Sequence, residues 1–168
     1  VLAFGNTGST TPVASNVTDL RAVQIFNDQL YVSANPTSGV RLGRVSGGLP
    51  TSGGQTISSL PGIASGGPPT QPYQFFAADL RGDVPGIDTL YVADDSTSGG
   101  IRKFSLVGGN WVLNSSLPLG GQGARGLTGK VEGGTVTLFA STSASSNNPI
   151  YKVVDPSGWN AAIPFGAA

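Results

Sequence analysis

Thr89-Leu90-Tyr91-Val92-Ala93-Asp94-Asp95-Ser96, followed after a glycine turn by Ile101-Arg102-Lys103-Phe104-Ser105-Leu106, decides the fold. It reads as a strand, a polar loop and a second strand, and the pattern occurs three times. The first copy is Leu30-Tyr31-Val32-Ser33-Ala34 with Val40-Arg41-Leu42, and the third is Leu138-Phe139-Ala140-Ser141 with Ile150-Tyr151-Lys152-Val153. Each copy closes on a matching tail: Ser58-Ser59-Leu60-Pro61, Ser115-Ser116-Leu117-Pro118 and Ala161-Ala162-Ile163-Pro164.

Spacing turns the likeness into an architecture. Leu90 and Leu138 lie 48 residues apart, Ile101 and Ile150 49, Trp111 and Trp159 48, and Leu117 and Ile163 46. The interval from the first copy to the second is 60 at Leu30/Leu90, lengthened by the hairpin Asp79 to Asp88. Strands are also expected at Leu20–Phe26 and around Gln55–Ser58 in the first copy, at Tyr73–Ala78 and around Trp111–Leu113 in the second, and from Arg125 in the third. Four short strands in a unit of this period are the signature of β-propeller blades. The second strands, Leu-Tyr-Val, Leu-Tyr-Val and Leu-Phe-Ala, are apolar on both faces, as expected where a neighbour covers each side. A β-sandwich also uses short strands, but it requires no recurring four-strand unit. The reading is therefore all-β: four-stranded antiparallel blades at about 20–63, 73–120 and 125–166. Residues 1–17 supply one extra strand, Val1-Leu2-Ala3-Phe4, and a connection.

Composition narrows the chemistry. Gly (26) and Pro (12) are abundant in the 168 residues, which favours turns over long helices. Nine basic side chains balance nine acidic ones. A nucleic-acid partner would call for a basic excess, so none is expected. Without Cys there are no disulfides or thiolate metal sites, and without His the commonest general base and zinc ligand are missing. No apolar run approaches the ~20 residues of a membrane helix. The sequence opens on Val1 and contains no Met, and it reads as a processed product, a fragment or a partial sequence.

With these motifs in place, the chain resembles the C-terminal part of large secreted, mainly bacterial β-propeller proteins. The matching segments are Val23 to Ala34, Asp88 to Asp95, Arg125-Gly126-Leu127-Thr128-Gly129 and Pro156-Ser157-Gly158-Trp159-Asn160. The resemblance implies an extracellular or cell-surface location and brings no catalytic motif with it. It also implies further blades, from the parent polypeptide or from another chain, to complete a ring, with Val1-Leu2-Ala3-Phe4 at one seam.

Propeller ligands sit at the mouth of the channel, near the start of each innermost strand. Two residues before Val23, Phe75 and Leu127 stand Arg21, Tyr73 and Arg125, which could hold an anionic or sugar ligand by forked hydrogen bonds and stacking. The same residue types also serve to pair neighbouring blades. Asp94 and Asp95, with Ser96-Thr97-Ser98, form a hard-oxygen set suited to Ca²⁺ or, more simply, to a solvated turn. No other cofactor is expected. Asn16-Val17-Thr18 and Asn114-Ser115-Ser116 are N-glycosylation sequons. Arg81-Gly82-Asp83 spells an adhesion tripeptide on a hairpin whose Gly and Asp the turn itself favours. The function expected is a non-catalytic binding or structural module of an extracellular assembly. The alternative is a carboxylate- or metal-dependent hydrolase or lyase acting on an extracellular polymer or phosphoester. That enzyme would need Asp94, Asp95 and a further Asp or Glu to converge.

Overall fold

The computed structural model describes residues 4–5, 8, 10–63 and 66–164. It is all-β, with three antiparallel sheets that follow one another along the chain. The first contains β1 (Leu20–Phe26), β2 (Gln29–Ala34), β3 (Leu42–Val45) and β4 (Ile57–Ser59). The second contains β5 (Pro72–Ala78), β6 (Thr89–Asp94), β7 (Gly100–Val107) and β8 (Asn110–Leu117). In both, spatial order equals chain order. The third contains β9 (Ala124–Glu132), β10 (Thr135–Thr142) and β11 (Ile150–Asp155), with β10 in the middle. Three sheets form where a sandwich would have two. Among the described residues no helix is long and apolar enough to cross a membrane.

The turns follow from residue type. Asn27 and Asp28 adopt left-handed φ of 47° and 55°, closing the two-residue hairpin between β1 and β2. Gly133 and Gly134 do the same between β9 and β10. The long hairpin between β5 and β6 is drawn together at its base by Asp88. Its buried carboxylate accepts from the backbone N–H groups of Leu80 and Arg81 and from the Thr89 hydroxyl. At its tip Arg81 pairs with Asp83 and lies 4.3 Å from the Trp159 ring centroid. The adhesion-like tripeptide is thus folded onto itself, with Arg81 held against the third repeat.

Register shows that the repeat is physical. Tyr31 stands opposite Arg44, Tyr91 opposite Lys103 and Phe139 opposite Lys152, an aromatic–cation pair on the second and third strands of every sheet. The sheets stack through their first strands, β1 beside β5 and β5 beside β9. Between the first two sheets lies a core of Leu42, Phe75, Leu90, Val92, Phe104 and Trp111. Between the second and third lies one of Tyr91, Ile101, Leu127, Leu138, Ala140 and Val153. Each of the large aliphatic and Phe side chains among them contributes roughly 1.5–3 kcal/mol through burial. Of the three leucines expected at equivalent buried places, Leu90 and Leu138 are fully enclosed and Leu30 is half-buried.

A buried ion pair bolts the second sheet to the third. Lys103 Nζ donates to Asp155 Oδ2 at 2.7 Å, Ser157 Oγ at 2.8 Å and the Gly158 carbonyl at 2.7 Å. Tyr91 donates its hydroxyl to the same Asp155 oxygen at 2.7 Å. Burial alone would raise the Asp155 pKa, but Lys103, Ser157 and Tyr91 outweigh it and hold the carboxyl below its ordinary range. Burial and the adjoining carboxylate push the Tyr91 phenol up.

Three expectations are corrected. The third sheet has three strands, not four. After β11 the Asp155 carboxylate accepts from Ser157 N–H and folds Asp155-Pro156-Ser157-Gly158 into a turn, with Gly158 and Asn160 at positive φ. Trp159 therefore lies in a turn under Arg81, whereas Trp111 is a buried strand residue, and the two are not equivalent. The tail instead crosses to β8, where Ile163 N–H donates to Ser115 Oγ. The third strand of the first repeat begins at Leu42 rather than Val40. The extra strand at Val1-Leu2-Ala3 lies outside the described residues, as does the end of the third unit beyond 164, and Phe4 is in an exposed turn. The connection does more than link. Ala14 bridges Gln55 in parallel, and the Asn16 amide both donates to Ile57 O and accepts from Ile57 N–H. Val17 and Ala14 then cover Val32, Val45 and Ile57.

Candidate functional site

In every sheet the pairing of the first two strands slips near the start of the first strand. The irregularities fall between Leu20 and Ala22, between Pro72 and Phe75, and between Ala124 and Gly126. Arg21, Tyr73 and Arg125 occupy those slips. A bulge re-aims the side chain it carries, and bulges recur beside binding sites for that reason. Here the same device operates three times, and it gathers the three residues.

Arg21 places its guanidinium carbon 4.3 Å from the Tyr73 ring centroid, and Arg125 places its own at 5.3 Å. One arginine comes from the sheet before Tyr73 and the other from the sheet after. Each contact is worth about 0.5–1 kcal/mol where exposed and more where water is excluded. The protein's own cations therefore do the stacking on this phenol, which the sequence reading left for a ligand. Arg21 donates to the Pro72 carbonyl and to Gln71 Oε1, both at 3.1 Å. Arg125 donates through Nε and Nη2 to Asp95 Oδ2, at 3.0 and 2.9 Å. This bond, reinforced by the negative charge of Asp95, holds the exposed Arg125 guanidinium more firmly protonated. Asp95 N–H in turn donates to Gln71 O. With two guanidiniums and one carboxylate, the cluster carries a net charge of +1.

Asp94 and Asp95 part company. They are neighbours on a strand end, so their side chains leave on opposite sides. Asp95 joins the rim. Asp94 is fully buried beneath it and accepts from the backbone N–H groups of Thr70, Gln71 and Ser96, and from Arg102 Nε at 3.0 Å. Burial would raise its pKa, yet these donors hold it below the ordinary carboxylate range. It fixes the Thr70–Gln71 loop that supports Arg21. Among the described residues no group of three or more carboxylates meets to hold a metal. The Asp94–Asp95–third-carboxylate convergence that a hydrolase or lyase would need is not formed among them. Asp95 Oδ1 and Ser96 Oγ are enclosed atoms with no hydrogen-bond partner among the described residues.

Both sequon amides are engaged. Asn16 clamps Ile57, and Asn114 accepts from Ser105 Oγ at 2.6 Å while donating to Asn160 Oδ1 at 3.0 Å. Gln71 and Gln74 were not foreseen. Gln71 ties Arg21 to Asp95, and Gln74 Oε1 accepts from Leu127 N–H in the next sheet at 2.9 Å. Neither residue type carries a signal that distinguishes it from a solvated glutamine.

Comparison with protein-family models, with curated proteins and with solved structures returned no match.

Proposed function

We propose that this chain is a non-catalytic binding module, built as three blades of an extracellular β-propeller, that takes an anionic ligand at the rim where its sheets begin. One observation carries the reading. Arg21 is held in place by cation–π contact and two neutral acceptors, and among the described residues no carboxylate pairs with it. A guanidinium so oriented and so incompletely neutralised is a receptor for carboxylate or sulfate. Together these features favour an acidic glycan, such as a polyuronate, over a neutral sugar that must stack on an open aromatic face. The stacked sheets and the likeness to secreted propeller proteins support the blade reading and the extracellular location. The two carboxylates there, Asp94 and Asp95, are each already bound to an arginine, Arg102 and Arg125.

The test is calorimetric titration of the protein with oligogalacturonate and, separately, with dextran. Saturable binding of the acidic oligomer is expected, weakening as salt rises, with at least a tenfold loss in Arg21→Gln. Equal binding of dextran, or unchanged affinity in Arg21→Gln, would refute the reading.

A further inference from the structure

The two joints between neighbouring sheets can be compared position by position. At the second joint Tyr91 and Lys103 stand opposite each other in register, and both donate to Asp155 Oδ2 of the third sheet at 2.7 Å. At the first joint the corresponding pair is Tyr31 and Arg44. Asp155 lies three residues beyond Lys152, which faces Phe139. The residue three beyond Lys103, which faces Tyr91, is Leu106. Leu106 therefore holds in the second sheet the place that Asp155 holds in the third. The first joint repeats the phenol and the cation but not the carboxylate that answers them.

A pocket of about 220 Å³ lies at that point, lined by Tyr31, Arg44, Leu106 and Gly109. Gly109 is three residues after Leu106, just as Gly158, whose carbonyl also accepts from Lys103, is three after Asp155. The walls come from the first two sheets and their connections, all within the described residues. Among those residues the Arg44 guanidinium pairs with no carboxylate, and neither it nor the Tyr31 hydroxyl has a hydrogen-bond partner. Burial raises the Tyr31 pKa against the opposing pull of Arg44, so the phenol remains a donor at neutral pH. Leu60, Ile87 and Trp111 make the rest of the wall apolar.

We infer that this pocket binds a small aromatic carboxylic acid, whose carboxylate takes from Arg44 and Tyr31 the bonds that Asp155 takes from Lys103 and Tyr91. A guanidinium offers paired N–H groups that match the two oxygens of a carboxylate. The ring of the acid packs against Leu60, Ile87 and Trp111. Pockets for drug-sized molecules begin at about 300 Å³, so this smaller one restricts its occupant to a single ring. The site shares no residue with the rim cluster and stands or falls independently of it.

The chain contains two tryptophans, Trp111 in the pocket wall and Trp159 in the turn under Arg81. In isotope-labelled protein their indole N–H signals are followed by NMR and assigned with Trp159→Phe. Phenylacetate should move the Trp111 signal saturably at about millimolar concentration and leave the Trp159 signal in place. Phenylacetamide has the same shape without the charge and should bind roughly tenfold more weakly or worse. Arg44 is exposed, so Arg44→Gln keeps the fold, and it should weaken phenylacetate binding by a similar factor. No movement of the Trp111 signal by about 10 mM acid, equal binding of the amide, or unchanged affinity in Arg44→Gln would overturn the inference. So would loss of binding in Arg21→Gln, which would put the acid at the rim.

Discussion

Replacing Lys103 by Met removes the cation from the joint between the second and third sheets and leaves Asp155 behind. Both side chains are fully enclosed in the wild type, so the remaining carboxylate has no access to water. Breaking one side of such a pair costs about 3–5 kcal/mol. The lower end applies here, because Asp155 keeps donors in the Tyr91 hydroxyl and in Ser157. With a urea slope of roughly 2 kcal/mol per M, a loss of about 3 kcal/mol moves the unfolding midpoint down by ~1.5 M. The two tryptophans supply the fluorescence signal. Asp155→Asn strands the ammonium and costs a similar amount. The double variant Lys103→Met/Asp155→Asn buries no charge, so it should cost no more than the worse single variant, which corresponds to a coupling of at least about 3 kcal/mol. The Lys103→Met penalty should also shrink in acid, where the stranded Asp155 takes up a proton. A loss below about 1 kcal/mol, or strictly additive single losses, would refute the claim that this pair acts as a unit holding the sheets together.

Asp94 and Asp155 are both held below the ordinary carboxyl value of 3.8 in the folded chain, so their contribution is complete above about pH 4. It should drain away as pH falls through their lowered folded-state values, and the steepest part of an acid-unfolding curve should lie below pH 4, not near neutrality. Trp111→Ala should cost about 3–5 kcal/mol and Trp159→Ala clearly less, because only Trp111 fills a core; urea midpoints decide. In Gly99→Ala the new Cβ would meet the Asp94 carbonyl oxygen at 1.9 Å, so a loss of at least ~3 kcal/mol is expected in thermal unfolding. Asn16→Ala removes two bonds to Ile57 and should cost about 1–2 kcal/mol while speeding exchange of the Ile57 amide proton.

The repeat was legible because strand pairing makes spacing a physical quantity. Leu-Tyr-Val and Leu-Phe-Ala recur where a second strand must be apolar on both faces, and the register places Tyr31, Tyr91 and Phe139 opposite the same kind of residue. The third fourth-strand misled for a reason of the same kind. Trp159 holds the interval of Trp111 to the residue, but interval does not outrank local turn chemistry. Asp155 is already committed to Lys103 across the joint, and with Pro156 and Gly158 following it, the chain turns where a strand would have continued. The tail Ala161-Ala162-Ile163-Pro164 keeps the repeat's sequence and loses its place in a sheet.

The rim was legible for a narrower reason. Counting two residues back from Val23, Phe75 and Leu127 finds Arg21, Tyr73 and Arg125 only because all three sheets carry the same slip in pairing. The count transfers a side-chain direction along with a position. What it could not transfer was the division of labour. Asp94-Asp95 looks like a paired carboxylate in sequence, yet on a strand adjacency means separation. One carboxylate goes down to four donors and becomes scaffold, while the other goes out to Arg125. Once Asp95 is assigned to Arg125, the remaining asymmetry lies at Arg21, whose partners are an amide oxygen and a peptide carbonyl. Arg21 is thus placed by a bulge, stacked on a phenol and left with a charge that no carboxylate among the described residues pairs with. That property follows from the register slip at Leu20/Ala22, and it would be lost if β1 paired without it.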